Sequence, residues 1–157
     1  MAATRKRKIY YPYKYYAGLS KRAKTQRAKE IAKFGALNWK DPKAYVGFKT
    51  DVGRKTRKSS YIGKLTALIG PGPKSLEEKA EATGVPVKFL KECYDRGMAA
   101  WRTGHRPGAT EQQWGWARVA SMLVCGKTHY GPDSDLVRKA RRTSRSARAW
   151  FKRCPTK

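Results

Sequence analysis

The chain has 157 residues, and 37 lysine and arginine residues against 11 aspartate and glutamate residues give it a formal net charge of +26. This length suits one domain with extensions. No apolar run approaches the roughly 18 residues that span a bilayer. The N-terminal sequence lacks the apolar core that a secretory signal would have. Because a compact monomer with this charge repels itself, we expect an acidic partner or a polyanion.

The charge is distributed unevenly along the sequence. Residues 1–74 carry 20 basic and 3 acidic residues, residues 75–136 carry 8 of each, and residues 137–157 carry 9 basic residues and no acidic ones. The asymmetry is too large for an ordinary solvated face. We therefore predict a basic, Tyr-rich N-terminal arm over 1–74, a neutral helical domain over 75–136 that folds on its own, and an Arg-rich C-terminal helix or tail over 137–157.

The N-terminal arm contains alternating tyrosines around Pro12, a residue that opposes helix and favours extended backbone. Such rings suit stacking on nucleic-acid bases or anchoring in a protein interface. We favour the interface, since Pro-Tyr segments commonly dock as extended peptides. The predicted partner-binding residues of the arm are Tyr11, Tyr13, Tyr15, Tyr16, Arg54, Lys55, Arg57 and Lys58.

The rest of the arm contains two predicted helices. Ser20 is a good N-cap for a helix over about 20–34, and Gly35 is suited to its C-terminal end. Residues 36–58 have the glycine and proline content of irregular structure. Ser60 is predicted to cap a short helix that ends before the linker at 70–74.

The neutral domain contains three segments with helical periodicity. Ser75 with Glu78, and Thr110 with Gln113, each have the spacing of a capping box at a helix start. Between them a segment begins at Pro86 and repeats its apolar residues at intervals of three and four. Because the strand signal is poor throughout, we predict a mainly α fold: a compact block of about three helices, with an extended basic N-terminal arm and a basic C-terminal helical tail.

The C-terminal tail is predicted to be one helix capped by Asp133 or Asp135, with arginine nearly all round. Together with the basic run at the N-terminus, it is the candidate surface for a polyanion. The predicted polyanion-binding residues are Arg5, Lys6, Arg7, Lys8, Arg138, Lys139, Arg141, Arg142, Arg145 and Arg148.

The turn near Gly84 has the spacing of a helix–turn–helix motif, with Ala80, Val85 and Leu90 at the small and apolar positions. The second helix of that motif would read the DNA bases. It exposes Glu92 among its lysines, which is unfavourable in a phosphate-lined groove. Sequence-specific base reading is therefore disfavoured.

Several residues of the neutral domain are predicted to have structural roles. The tryptophans should lie in its core or at its margin, His105 should bond the last carbonyls of a helix as a capping cation, and Arg118 should pair with a carboxylate or stack on an indole. The predicted structural residues are Trp101, His105, Arg106, Trp114 and Arg118.

The cysteines and histidines give no strong chemical signature. Cys93, Cys125 and Cys154 are odd in number and widely spaced, which argues against a disulfide framework and favours a reducing compartment. A zinc site combining Cys93 and Cys125 with the two histidines lacks the paired CxxC spacing. No nucleophile–base pair or phosphate loop is present, so we predict no catalytic residue, no metal and no cofactor, and hence a non-enzymatic protein.

The run RGMAAWRTGHRPGATEQQWGWARVASMLVCGKT at 96–128, followed by PDSDL at 132–136, resembles a small domain of unknown function encoded by large double-stranded DNA viruses and some tailed phages. The upstream segments at 15–31, 41–45, 50–61 and 75–86 follow the order of the same family. This resemblance implies a viral protein and brings no catalytic role with it. The tail at 137–157 is not part of the pattern.

Two functions follow from combining this resemblance with the charge pattern. The first is a structural virion protein, a minor capsid component on the inner capsid face that bridges major capsid proteins, and contacts other minor capsid proteins, through its basic and Tyr-rich arms. The alternative is a virion-packaged protein that binds and condenses viral double-stranded DNA. Fold alone does not choose between them.

Overall fold

The computed structural model describes residues 12–72 and 74–156, and these residues are mainly helical, as predicted, with no β-strand among them. The expectation of about three helices is wrong, because this part of the chain forms eight α-helices and three short 3-10 helices. The α-helices are α1 (Lys21–Gly35), α2 (Ser60–Ile69), α3 (Leu76–Thr83), α4 (Val87–Trp101), α5 (Glu111–Leu123), α6 (Lys127–Tyr130), α7 (Ser134–Thr143) and α8 (Arg145–Phe151). The 3-10 helices are Tyr13–Tyr15, Pro42–Tyr45 and Lys49–Asp51.

The chain divides into two compact units. Unit 1 combines Met1–Thr56, described from residue 12 onward, with Arg102–Ala109, and unit 2 combines Arg57–Trp101 with Thr110–Lys157. The predicted segments 1–74, 75–136 and 137–157 do not coincide with these units. The loop between α4 and α5 belongs to unit 1, whereas α2 and the basic C-terminal helices belong to unit 2.

The helix starts follow the local capping signals. The Ser20 hydroxyl accepts a hydrogen bond from the Ala23 amide, 3.2 Å away, at the start of α1. Both capping boxes form, Ser75 with Glu78 at α3 and Thr110 with Gln113 at α5. At α2 the cap is Ser59, one residue before the expected Ser60. Each cap satisfies amides that have no partner within the helix.

Unit 1 has a small core between α1 and the 3-10 helices that follow it. Ile31 and Phe34 of α1 are buried, as are Ala44 and Phe48 of the irregular segment. The Phe34 and Phe48 rings stack with their centroids 5.0 Å apart. The thin apolar stripe of α1 is thus covered by chain that is adjacent in sequence, which supplies the packing that a weakly apolar helix needs.

Unit 2 has the larger core, formed by α2, α3, α4, α5, α7 and α8. The residues at its centre are completely buried: Leu90, Cys93, Val119, Leu123, Leu136, Ala147 and Phe151. At the crossing of α4 and α5 the backbones approach closely: a Cβ added at Gly97 would lie 2.8 Å from the Cα of Gly115. Two facing glycines therefore set the distance between the two main helices.

The C-terminal segment is folded into this core and breaks into two helices instead of continuing as one. Ser144 ends α7 in an extended conformation and caps α8, where its hydroxyl accepts from the Ala147 amide at 3.1 Å. The same hydroxyl donates to the Gly84 carbonyl at 3.0 Å, which ties the break to the turn between α3 and α4. The expected single helix is therefore corrected to a helical pair, because a serine cap offers the backbone an alternative to helix continuation.

A disulfide joins Cys125 to Cys154, contrary to the expectation from cysteine number and spacing. Cys93 is the one that stays free, buried in the core. An odd number of cysteines does not exclude one disulfide, and the sequence spacing could not indicate that the end of α8 packs next to the end of α5. The bond fixes the C-terminal end of α8 to the loop after α5.

Loss of this disulfide is expected to lower the free energy of unfolding of unit 2 by roughly 3–4 kcal/mol. The paired residues are separated by 29 positions in sequence, and a cross-link over a loop of this length restricts the unfolded chain by about that amount. Urea denaturation of a Cys125→Ser/Cys154→Ser variant measures the change. Reductant should destabilise the wild type by a similar amount and leave the double variant unchanged; equal midpoints for all samples would contradict the linkage.

None of the helices in the described ranges is long and apolar enough to cross a membrane. This finding agrees with the absence of an 18-residue apolar run in the sequence.

Candidate functional site

The two C-terminal helices separate apolar and basic residues onto opposite sides. In α7 the buried residues are Leu136, Val137 and Ala140, spaced three and four apart, and the cations between them are exposed. In α8 the buried residues are Ala147, Trp150 and Phe151, and here too the arginines are exposed. This is the pattern of an amphipathic surface helix, so the cations sit on a folded scaffold.

Contacts with backbone carbonyls orient two of these cations. The Arg141 guanidinium donates to the Phe151 carbonyl and the Arg148 guanidinium donates to the Arg141 carbonyl, each at 2.9 Å. The Trp150 indole donates to the Leu123 carbonyl at 2.9 Å and thereby fixes α8 against the end of α5. We call the exposed cations of the two helices the α7–α8 basic face; it consists of Arg138, Lys139, Arg141, Arg142, Arg145 and Arg148.

No carboxylate within ion-pair distance neutralises this face in the described part of unit 2. The ion pairs there lie on α4, on α5 and at the start of α7. Arg96 pairs with Glu92 at 2.9 Å and with Asp135 at 2.8 Å, and the hydrogen bond from Arg96 holds the pKa of Asp135 well below its usual range. Four of the eight acidic residues of the 75–136 segment, Glu92, Asp95, Asp133 and Asp135, take part in these ion pairs, and their partners are cations outside the α7–α8 basic face.

Arg118 has a carboxylate partner, one of the two arrangements expected from the sequence. Its guanidinium donates from Nε to Asp133 Oδ2 at 3.0 Å and from Nη2 to Oδ1 at 2.9 Å, a bidentate pair with a fully buried aspartate. Cys93 donates to the same carboxylate at 3.4 Å, and burial, reinforced by the charge of Asp133, raises the pKa of that thiol. Bidentate geometry compensates for burying the charges. Asp133 is therefore committed to this pairing and makes no side-chain cap at α7.

Unit 1 exposes large apolar side chains. The exposed fractions are 67% for Tyr13, 52% for Trp39, 73% for Val46 and 79% for Val52. The first two are aromatic and carry polar tips, as is typical of residues at protein interfaces. The ammonium of Lys40 lies 5.0 Å from the Trp39 ring centroid. Unit 1 thus presents aromatic and aliphatic side chains among cations.

The predicted tyrosine cluster is only partly available for a partner. Tyr13–Tyr15 is a 3-10 turn, so the extended alternation expected from Pro12 is wrong for these residues. Tyr15 is half-buried with its ring against Gly104, where an added Cβ would lie 2.6 Å away, and burial raises the pKa of this tyrosine. Tyr16 is also half-buried and meets Tyr13 edge-on. Tyr13 remains the exposed tyrosine of the described cluster, and Tyr11 lies outside the described residues.

Sequence reasoning missed a buried arginine at the centre of unit 1. Arg27 is fully buried and donates to Thr50 Oγ1 at 2.9 Å, to Asp51 Oδ1 at 2.7 Å, and to the carbonyls of Tyr15 and His105 at 3.0 and 2.5 Å. Its guanidinium carbon also lies 4.7 Å from the centroid of the Phe48 ring. The only local signal was the position of Arg27 on the apolar side of α1, close to Ile31. These bonds connect three segments that are distant in sequence.

His105 has a different role from the expected helix cap. Helix α4 ends at Trp101, and the buried His105 ring places Nε2 2.6 Å from Asp51 Oδ2. The Gly108 amide donates to the other oxygen of that carboxylate at 2.9 Å. Burial alone would raise the pKa of Asp51, but these hydrogen bonds and the charges of His105 and Arg27 lower it overall. His105 is thus part of a polar core that includes residues of the GHRPG segment.

The remaining predicted site residues fall in both units. Arg54 and Lys55 are exposed in unit 1, and Arg57 and Lys58 are exposed in unit 2. Trp101 is buried, while Arg106, Trp114 and Trp116 are half-buried. Four predicted polyanion-binding residues lie outside the described residues: Arg5, Lys6, Arg7 and Lys8.

Metal binding by the cysteines and histidines finds no support in the described ranges, where no group of three or more His, Cys, Asp or Glu residues is placed to hold a metal ion. Cys125 is bonded to Cys154, which removes it as a ligand. His129 is buried and places Nδ1 3.0 Å from the Met122 carbonyl, and burial lowers the pKa of this histidine. The two histidines, His105 in unit 1 and His129 in unit 2, are thus buried in different units.

Comparison with known families identifies a match over most of this architecture. Residues 12–139 match the family of unknown function DUF5824. The chain belongs to this family. No curated protein and no solved structure matches it. The DUF5824 segment includes the Arg27 cluster, the glycine crossing of α4 and α5 and the Arg118–Asp133 pair. It ends within α7, so that α8 and four of the six cations of the α7–α8 basic face follow the matched region.

Proposed function

We propose that this protein is a structural, non-enzymatic component of a virion, a minor capsid protein on the inner capsid face that bridges major capsid proteins and contacts other minor capsid proteins. The observation that carries the proposal is the exposure of Tyr13 and Trp39 on unit 1 beside exposed cations. The few residues that dominate the binding energy of protein interfaces are enriched in tryptophan, tyrosine and arginine. The sequence resemblance to proteins of large DNA viruses supports the viral setting.

The structure also changes how such a bridge would bind. The Tyr15 ring packs against Gly104 in unit 1, so replacing this side chain would act through stability. Tyr13 and Trp39 are the candidates for direct contact, with Arg54 and Lys55 as basic residues of the same unit. Burying the two rings depends little on counterions, so we expect shell binding to be moderately salt-sensitive.

The test is binding of the chain to purified capsid shells of the virus that encodes it. A Tyr13→Ser/Trp39→Ser variant is expected to bind at least about thirtyfold more weakly, because truncating even one of two interface anchors commonly costs about 2 kcal/mol. The matched control is Ile62→Ser/Leu68→Ser, which removes two exposed apolar side chains from α2 of unit 2. Equal binding by wild type and both variants would overturn the role of the unit 1 aromatics.

A second function, binding and condensing DNA in the virion, is favoured by the α7–α8 basic face. Six exposed cations without a carboxylate partner in the described residues of unit 2 suit a polyanion better than an apolar interface. The two functions are compatible, since the candidate contact residues belong to different units. A chain that uses both would link a shell to a genome.

A further inference from the structure

The six cations of the α7–α8 basic face point to one kind of ligand. We infer that this face binds the phosphate backbone of duplex DNA without reading its sequence, an inference that rests on the DNA-binding function proposed above. The face is arginine-rich, and a guanidinium forms bidentate hydrogen bonds with phosphate oxygens. Five of its six members are arginines.

The scaffold beneath the face is ordered before any ligand binds. Phe151 and Leu136 are fully buried, and the Trp150 indole is hydrogen-bonded to the Leu123 carbonyl. Arg141 and Arg148 are held by carbonyls of the neighbouring helix. A disordered basic tail must lose backbone entropy when it binds, whereas this helical pair has already lost it on folding.

The dimensions of the helices suit a phosphate backbone. Arg145 and Arg148 lie one turn apart on the exposed side of α8, and Lys152 continues the same side. At about 1.5 Å per residue, Arg145 to Lys152 covers roughly 10 Å. Duplex DNA carries one negative charge per about 1.7 Å of its axis, so a helix of this length lies opposite several phosphates, and α7 adds Arg138 and Arg142 to the contact.

The composition of the face argues against other acidic partners. Its aromatic neighbours Trp150 and Phe151 are buried, so no ring is available on it for the base stacking that single-stranded nucleic acid uses. An amphipathic helix binds a membrane by burying its apolar side in the lipid, and the apolar sides of α7 and α8 are already packed in the core of unit 2. A protein interface would require an apolar centre, which this face lacks.

The α3–α4 pair is a weaker candidate for the DNA surface. It has the left-handed Gly84 turn of a helix–turn–helix, but two cations of its second helix, α4, form ion pairs with carboxylates of the same helix. Lys91 pairs with Asp95 at 3.0 Å and Arg96 pairs with Glu92 at 2.9 Å. These acidic residues would repel the phosphates beside the groove, so α4 is not expected to bind there.

The test compares two full-length variants that each remove four positive charges. The first carries Arg138→Gln, Lys139→Gln, Arg142→Gln and Arg145→Gln, which leaves the bracing residues Arg141 and Arg148 in place. The matched control carries Lys21→Gln, Arg22→Gln, Lys29→Gln and Lys43→Gln, all exposed in unit 1. Glutamine keeps a helix propensity close to that of lysine and arginine, and circular dichroism checks that both variants fold.

Fluorescence anisotropy with a random-sequence DNA duplex of about 30 base pairs, over a salt series, gives the affinities. We expect the first variant to lose about 10²–10³-fold in affinity near physiological salt, since each lost phosphate contact lowers the slope of log K against log salt by about 0.9. The control should lose much less. Duplexes of different sequence should bind alike.

Each other outcome has a defined meaning. If the wild type does not bind duplex DNA, both this inference and the DNA-binding function fail. If it binds but the first variant loses no more than the control, the function stands and the assignment to α7–α8 is wrong. Tighter binding to the single strand, to polyglutamate or to anionic phosphatidylserine vesicles than to duplex DNA would overturn the choice of ligand.

Discussion

A chain that ends at Leu136 is expected to lose the cooperative fold of unit 2. The truncation removes six buried residues of its core: Val137, Ala140, Ala147, Trp150, Phe151 and Cys154. Truncating a core phenylalanine or tryptophan to alanine typically costs about 3–5 kcal/mol, so two such residues represent about 6–10 kcal/mol. A whole domain is stable by only about 5–15 kcal/mol. Amide hydrogen exchange in α4 and α5 should therefore lose its protection in the truncated chain.

The control for this experiment separates packing from charge. The variant with glutamine at Arg138, Lys139, Arg142 and Arg145 removes four charges but none of the buried residues, and we expect it to keep the protection of α4 and α5. Exposed substitutions of this kind usually change stability by less than about 0.5 kcal/mol each. If the α4 and α5 amides are protected from hydrogen exchange as strongly in the truncated chain as in the full chain, residues 137–157 do not contribute to the core of unit 2.

The helix starts could be predicted from the sequence because capping is a local interaction. Ser20, Ser75 and Thr110 lie three residues from the amides that their hydroxyls accept from. The periodicity of α4 and α5 was likewise visible within a single segment. These signals gave the mainly helical class, and they required no knowledge of which helices pack together.

The role of the C-terminal residues was obscured by counting charges. A net charge of +9 over 137–157 led to the interpretation of a tail for contact, although the apolar residues there recur at helical spacing. Ala147, Trp150, Phe151 and Cys154 lie at i, i+3, i+4 and i+7. Net charge averages over the two sides of a helix, and the hydrophobic period distinguishes them.

The polar core of unit 1 could not be predicted because its bonds join distant segments. Arg27 and His105 are 78 positions apart, and Asp51 and His105 are 54 apart. In the sequence Arg27 is one cation among many on a basic helix. Which cation becomes buried depends on the loop at 102–109 packing within unit 1, and no local pattern indicates that loop's position.

Replacing Arg27 with methionine is expected to destabilise unit 1 by about 3–5 kcal/mol. Methionine fills much of the same volume but supplies none of the donors, so the carboxylate of Asp51 and the hydroxyl of Thr50 lose their bonds from the guanidinium. Breaking a buried ion pair by removing one partner typically costs this much, because it leaves an uncompensated charge. Hydrogen exchange of the α1 amides reports the change in unit 1 separately from unit 2.

The exposed Arg22 on the same helix provides the matched control. Arg22→Met should change the free energy measured by hydrogen exchange in α1 by less than about 0.5 kcal/mol.

The pH dependence of the Arg27→Met effect adds a second check. The pKa of Asp51 is lowered in the fold, so the stabilisation from its ionised form is present above the ordinary aspartate pKa and is lost as the pH falls through the lowered value. The deficit of Arg27→Met relative to wild type should therefore shrink in acid. A deficit that is the same at neutral pH and below the lowered pKa would show that Arg27 stabilises unit 1 through its bonds to neutral acceptors and its packing on Phe48, with no contribution from its pairing with Asp51.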